Sequence, residues 1–169
     1  MKRSPQRQEP ALSKPDEPSH GNAEYPWTKF DAEAYFSHYY RELHADDIEV
    51  IQRTVEALKN AKPRGEKLNV LDVGTGPNLF PLLAAMPRAA KVTSWEYAPT
   101  NIEWLKREMQ QPAMRRQLGE FWGVIREAWG PSYNLPEHPY PALQKVADLQ
   151  QASIFDLPKS QWDAATMFF

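Results

Sequence analysis

The stretch LNVLDVGTGPNLFPLL, Leu68 to Leu83, decides the fold. Its opening, Leu68 to Val73, is a near-continuous apolar run interrupted by an aspartate, the pattern of a parallel strand buried on both faces. Two glycines and a proline follow, and glycine lets the backbone approach a ligand closely because no Cβ stands in the way. Asn78 to Met86 then reads as a crossover helix closed by Pro87, and a helix start offers unpaired N–H groups and partial positive charge. Strand, glycine turn and helix together form a place to hold a nucleotide-like ligand.

Working outward, Asp31 to His44 (DAEAYFSHYYRELH) is an aromatic-rich helix with Tyr35, Tyr39 and Tyr40 crowded together. In DDIEVIQRTVEALKN, Ile48, Ile51, Val55 and Leu58 fall on one helical face, with Asp46 or Asp47 as the N-cap. Lys91 to Glu96 is the second strand. In APTNIEWLKREM, Thr100 and Glu103 have the spacing of a capping box. Arg116 to Trp129 is a further helix, with Leu118, Phe121, Val124, Ile125 and Ala128 inward. GPSYNLPEHPYP, Gly130 to Pro141, is a loop. Gln144 to Leu149 reads as a short third strand and WDAATMFF, Trp162 to Phe169, as a fourth. Alternating strands and helices predict an α/β fold with a mostly parallel sheet and right-handed crossovers.

Residues 1–24 carry Pro5, Pro10, Pro15 and Pro18 among polar residues, which predicts a disordered, Pro-rich tail ahead of a domain spanning 25–169. The chain stops on an apolar strand with no helix to cover it. That predicts the N-terminal part of a longer chain, with C-terminal strands missing; a naturally short protein with a frayed final strand is the alternative. The 169 residues suffice for one domain with a real core. A net charge of −2 supplies no electrostatic footprint for nucleic acid or an anionic membrane. With no cysteine, disulfides, Cys-ligated zinc and a thiol nucleophile are excluded, in keeping with a reducing cytoplasm. The four histidines share no metal-ligand spacing, so no metal site is expected.

Two cofactor classes suit the turn. In dinucleotide folds the loop is G-x-G-x-x-G and the diphosphate rests on the helix start. Here Gly74 and Gly76 match, but Leu79 occupies the third place. S-adenosylmethionine has no phosphate and asks instead for close backbone approach and a carboxylate for its ribose hydroxyls. Glu96, 20 residues beyond Gly76, closes the second strand. Asp148, read at the end of the third strand, is placed to accept from an adenine amino group. Asp72 either orients the turn or touches ligand. A methyltransferase is therefore the leading reading. A nicotinamide-dependent oxidoreductase and a non-catalytic scaffold are the alternatives.

The segments DAEAYFSHYYRELHADD, NVLDVGTGPNLFPLL, VTSWEYAPTNIEWLKREM and KVADLQQASIF…WDAATMFF together resemble the nicotinamide, phenylethanolamine and thioether N- and S-methyltransferase family. The marks of that family are a Y-x-x-x-Y-Y segment, a D-[IV]-G-[ST]-G-P turn and an acid-Tyr-x-x-x-Asn pattern. The resemblance implies a Rossmann-like class I methyltransferase three-layer sandwich that binds S-adenosylmethionine and methylates a nitrogen or sulfur of a small molecule; a monomer is expected. It implies that Tyr35 and Tyr40 close over the methionine end of the cofactor, with Tyr39 packing. Gly74, Thr75, Gly76, Asn78 and Phe80 would touch it at the turn. Glu96, Tyr97 and Asn101 would hold the ribose and carboxylate region, and Asp148 and Leu149 would flank the adenine. Three departures stand out: Glu96 where the family often has Asp, Asn78 where it often has Thr or Ser, and Met167 and Phe168 where the family usually presents a small polar residue.

Overall fold

The computed structural model describes residues 26–159 and 161–168; the expected tail, 1–24, lies outside the described residues. Four strands form one all-parallel sheet: β1 (Leu68–Val73), β2 (Ala89–Glu96), β3 (Ala147–Gln151) and β4 (Ala164–Met167), in the order β3-β2-β1-β4. The helices are α1 (Ala32–Tyr39), α2 (Ala45–Asn60), α3 (Phe80–Ala85), α4 (Pro99–Met109), α5 (Arg116–Trp129) and α6 (Tyr140–Val146). This is the Rossmann-like α/β arrangement expected from the alternating pattern.

β1 lies inside the sheet, between β2 and β4, and all of its residues but Asn69 are buried. Successive side chains of a strand point to opposite faces. Leu68, Val70 and Val92 of β1 and β2 enter the main apolar cluster with Ile51, Leu79, Trp104, Leu118, Ile125 and Leu143 of the helical side. The steps β1→β2→β3 run one way across the sheet, so right-handed crossovers gather α3 to α6 on that face. The return from β3 to β4 runs the other way. Among the described residues it carries the short turn Ile154–Asp156 and Trp162, whose ring meets Trp95 edge-on at 6.1 Å. Asp163 anchors the start of β4: its carboxylate accepts from Asn69 N–H at 2.9 Å while its own N–H donates to Asn69 O at 2.8 Å.

Several boundaries differ from the sequence reading. The third strand begins at Ala147, because Gln144 to Val146 close helix α6, which buries Tyr140 and Leu143. Pro139 and Pro141 flank the start of that helix, where a missing N–H does no harm; the proline cluster therefore hid a helix rather than marking only a loop. The crossover helix starts two residues late, at Phe80. The capping box at Thr100 is absent: Ala98 is the N-cap of α4, and the Thr100 hydroxyl donates to Trp27 O at 3.4 Å. At α2, His44 occupies the cap position and Asp47 reaches back to its N–H at 2.8 Å, so the aspartate serves the helix from the third position. α1 ends at Tyr39 and β4 spans only Ala164–Met167. No helix of the described residues is long and apolar enough to cross a membrane.

Candidate active site

The C-terminal edge of a parallel sheet is where open α/β folds bind ligands, and β1 delivers the glycine turn there. Gly74 and Gly76 have φ of 66° and 63°, the left-handed region that disfavours side chains. Gly74 N–H donates to Trp95 O at 2.8 Å, which lashes the turn to β2. Glu96 completes the lashing. It is buried, and its carboxylate accepts from Gly76 N–H at 2.8 Å and from Ala98 N–H at 2.7 Å. The acid that closes β2 thus braces the turn after β1 and the turn before α4 at once. Its remaining lone pairs stay open to a ligand hydroxyl.

Two adjoining cavities open over this turn and share Tyr35, Gly74, Gly76 and Phe168. The larger, about 540 Å³, has Glu96, Tyr97 and Asn101 on one side, Trp27 and Phe30 above, and Ala152, Ser153 and Ile154 beyond β3. The smaller, about 210 Å³, is lined by Tyr35, Tyr39, Tyr40, Asp47, Asp72, Thr75 and Asn78 among others. Asn78 holds two parts of it together. Its Nδ2 donates to the Tyr40 hydroxyl at 3.0 Å, and its Oδ1 accepts from Phe80 N–H at 2.9 Å. Burial pushes the Tyr40 hydroxyl up to about 12, so the ring stays neutral. Ser94 donates to the Thr75 hydroxyl at 2.8 Å beneath the turn. Burial also pushes the Asp72 carboxyl up, to about 6, against the pull of the Thr166 and Thr75 hydroxyls.

Of the residues expected at a site, nine meet at these cavities: Tyr35, Tyr40, Gly74, Thr75, Gly76, Asn78, Glu96, Tyr97 and Asn101. Three do not. Phe80 turns into the core, its ring 4.7 Å from Phe168 and 6.1 Å from Phe121. Asp148 is the second residue of β3 rather than its end. Its carboxylate pairs with Lys91 Nζ at 2.6 Å and accepts from Gln150 at 2.6 Å. Leu149 packs against the main core. The end of β3 nearest the larger cavity is instead followed by Ala152 to Ile154, with Trp95 Nε1 donating to Ser153 O at 2.8 Å. Tyr39, expected to pack, is largely exposed and lines the smaller cavity. Sequence reasoning missed Trp27, Phe30, Asp47 and Ser153. Trp27 sits beside Tyr97 edge-on at 6.4 Å, and the only advance sign was aromatic density before α1.

The chemistry of the lining separates the two cofactor classes. A diphosphate needs free N–H groups at the start of α3. There Phe80 N–H is taken by Asn78, Pro81 has none, and Leu79 is fully buried where a third glycine would stand. For S-adenosylmethionine the fit is good: apolar walls for a flat base, carboxylate and amide groups at one side, and a glycine turn bare of side chains. Asn101 Oδ1 is buried beside the larger cavity without a hydrogen-bond partner, as is Asp72 Oδ2 beside the smaller. Buried acceptors of this kind call for a donor. Among the described residues no cluster of three or more potential ligands could hold a metal ion.

A comparison with family models matches residues 19–115 to the NNMT/PNMT/TEMT family. The matched span includes the tyrosine-rich α1, the glycine turn and the Glu96–Asn101 segment, whereas Asp148, Leu149 and β4 lie beyond it. A comparison with curated proteins gives no significant match. The chain belongs to the NNMT/PNMT/TEMT family, and that membership implies S-adenosylmethionine-dependent methyl transfer.

Proposed function

We propose that the protein moves a methyl group from S-adenosylmethionine to a nitrogen, or a sulfur, of a small-molecule acceptor. The observation that carries this reading is the pair of adjoining cavities over one glycine turn, the larger edged by Glu96 and Asn101 and the smaller walled by tyrosines. Glu96 and Asn101 would hold the ribose side of the cofactor, Ser153 and Ile154 its base, and Tyr35, Tyr40 and Asn78 its amino-acid end. When bound, this cofactor supplies a methyl carbon already activated by a sulfonium.

The protein's part is then mainly alignment, which can lower a barrier by roughly 7–11 kcal/mol when two reactants are held in line. Glu96 keeps the turn in register, and Asn78 fixes Tyr40 over it. The rings of Tyr35 and Tyr40 offer faces that favour positive charge. Phe168 and Tyr35, common to both cavities, stand where water must be excluded between donor and acceptor. An amine entering with a free lone pair needs no general base, and the reading assigns none. The cysteine-free composition supports a reducing, cytoplasmic setting, and the reading includes a monomer acting without nucleic acid or membrane.

Isothermal titration with S-adenosylhomocysteine and with NADH tests this directly. Saturable heat with the first and none with the second is expected; the reverse would remove the methyltransferase reading.

A further inference from the structure

We propose that Glu33 is a positioning residue for the reaction: through Arg115 and Trp104 it clamps α1, and so sets Tyr35 and Tyr40 over the glycine turn. The proposal rests on the reading above, which seats the cofactor's amino-acid end at those tyrosines, and it names a residue that lines neither of the two cavities.

α1 needs such a clamp. It has eight residues, of which Ala32 and Phe36 are buried, and a helix that short is marginal in water on its own. Each residue advances a helix by about 100°, so Glu33 and Tyr35 stand about 200° apart around the axis. While Tyr35 faces both cavities, Glu33 reaches away from them to α4 and the start of α5. Its carboxylate accepts there from Trp104 Nε1 and from Arg115 Nη2, each at 3.0 Å, with Arg115 Nη1 on the other oxygen. Arg115 is itself fixed. Its Nε donates at 2.7 Å to buried Glu108, which also accepts from the Tyr140 hydroxyl at 3.0 Å. The guanidinium lies over the rings of Phe36 and Trp104, at 5.2 and 5.5 Å. One planar fork thus joins carboxylates from two helices, Glu33 of α1 and Glu108 of α4, which the point charge of a lysine does not do. Past the other end of α1, Asn78 holds the Tyr40 hydroxyl and Arg116 donates to Arg41 O at 3.2 Å. At the first turn that work falls to Glu33.

The test compares the wild-type chain with Glu33→Gln, Arg115→Lys and the double variant, each checked for native circular dichroism. Amide hydrogen exchange is read in the unliganded protein by mass spectrometry. Calorimetry then compares S-adenosylhomocysteine with 5′-methylthioadenosine, the same nucleoside without the amino-acid tail. Glu33→Gln keeps an acceptor for Trp104 and loses the ion pair, which is partly open to solvent. Its α1 amides should exchange about fivefold faster, the order of one such pair, while those of β1 keep their wild-type rates. S-adenosylhomocysteine should bind about fivefold more weakly, and 5′-methylthioadenosine within about twofold of wild type. A lysine at position 115 goes to buried Glu108, so Arg115→Lys should show the same selective loss, and adding Glu33→Gln to it should cost nothing more. Unchanged exchange at α1 in Glu33→Gln overturns the proposal, as does an unchanged affinity for S-adenosylhomocysteine. So does an equal loss for both ligands, the mark of a merely structural role, or a full further loss in the double variant. If neither ligand binds wild type, the methyltransferase reading falls, and exchange at α1 still decides the clamp.

Discussion

Replacing Glu96 with Gln tests how the turn is held. The side chain is buried, and its two oxygens accept from Gly76 N–H at 2.8 Å and Ala98 N–H at 2.7 Å. Glutamine keeps the volume but turns one acceptor into an NH₂ that faces another donor. A hydrogen bond to a charged group contributes roughly 1.5–3 kcal/mol, and a buried donor left unpaired costs about 1–3 kcal/mol. One bond lost and one weakened gives a destabilisation of about 3 kcal/mol, a large part of the roughly 5–15 kcal/mol that holds a domain together. With a urea slope of about 2 kcal/mol/M, the unfolding midpoint should fall by about 1.5 M at unchanged slope. Far-UV circular dichroism across a urea series measures it. Affinity for S-adenosylhomocysteine should drop at least tenfold in the same variant, because the turn loses its register. A midpoint within about 0.3 M of wild type would refute the claim that Glu96 is the brace.

Three further outcomes follow from other parts of the molecule. Asp72 is raised from 3.8 to about 6, so its contribution to stability is intact below pH 3.8 and is lost as pH rises through about 6. Asp72→Asn should therefore gain on wild type by an amount on the order of 3 kcal/mol between those limits, read from urea midpoints at each pH; a gap that stays flat with pH contradicts this. Arg115 bonds buried Glu108 at 2.7 Å, pairs with Glu33 of α1, and lies over the rings of Phe36 and Trp104. Arg115→Ala leaves Glu108 with the Tyr140 hydroxyl alone and should cost about 3–5 kcal/mol, a fall of roughly 10 °C in Tm, with Arg115→Lys recovering part of it. Asp148→Asn should leave S-adenosylhomocysteine affinity within about twofold, since that carboxylate is turned to Lys91; a tenfold loss would restore it to the adenine site.

Local pattern made much of the fold legible. The apolar run Leu68–Val73 and the two glycines place a parallel strand and a bare turn with no knowledge of the rest of the chain. Glu96 was legible as a strand-end acid, but not as a brace, because its partners are main-chain N–H groups that no side-chain pattern announces. Asp148 shows the opposite failure. Whether Gln144 to Val146 are strand or helix depends on burying Tyr140 and Leu143 against the core, a tertiary choice that outweighs a short β-like pattern. Moving the strand start to Ala147 left Asp148 within β3, with Lys91 as its partner on the adjacent strand. The bond between Asp72 and Thr166 joins residues 94 apart and depends on β4 docking beside β1, so nothing local foretells it. Tyr35 and Tyr40 meet at the turn because α1 folds back over it, which the family resemblance implied and composition alone did not.

A crystal structure grown with S-adenosylhomocysteine tests the central claim most directly. The account predicts the nucleoside in the larger cavity, its ribose against Glu96 and Asn101, and its amino-acid end passing the glycine turn toward Tyr35 and Tyr40. The ligand seated elsewhere, or Glu96 swung away from Gly76 with the cavity closed, would contradict it.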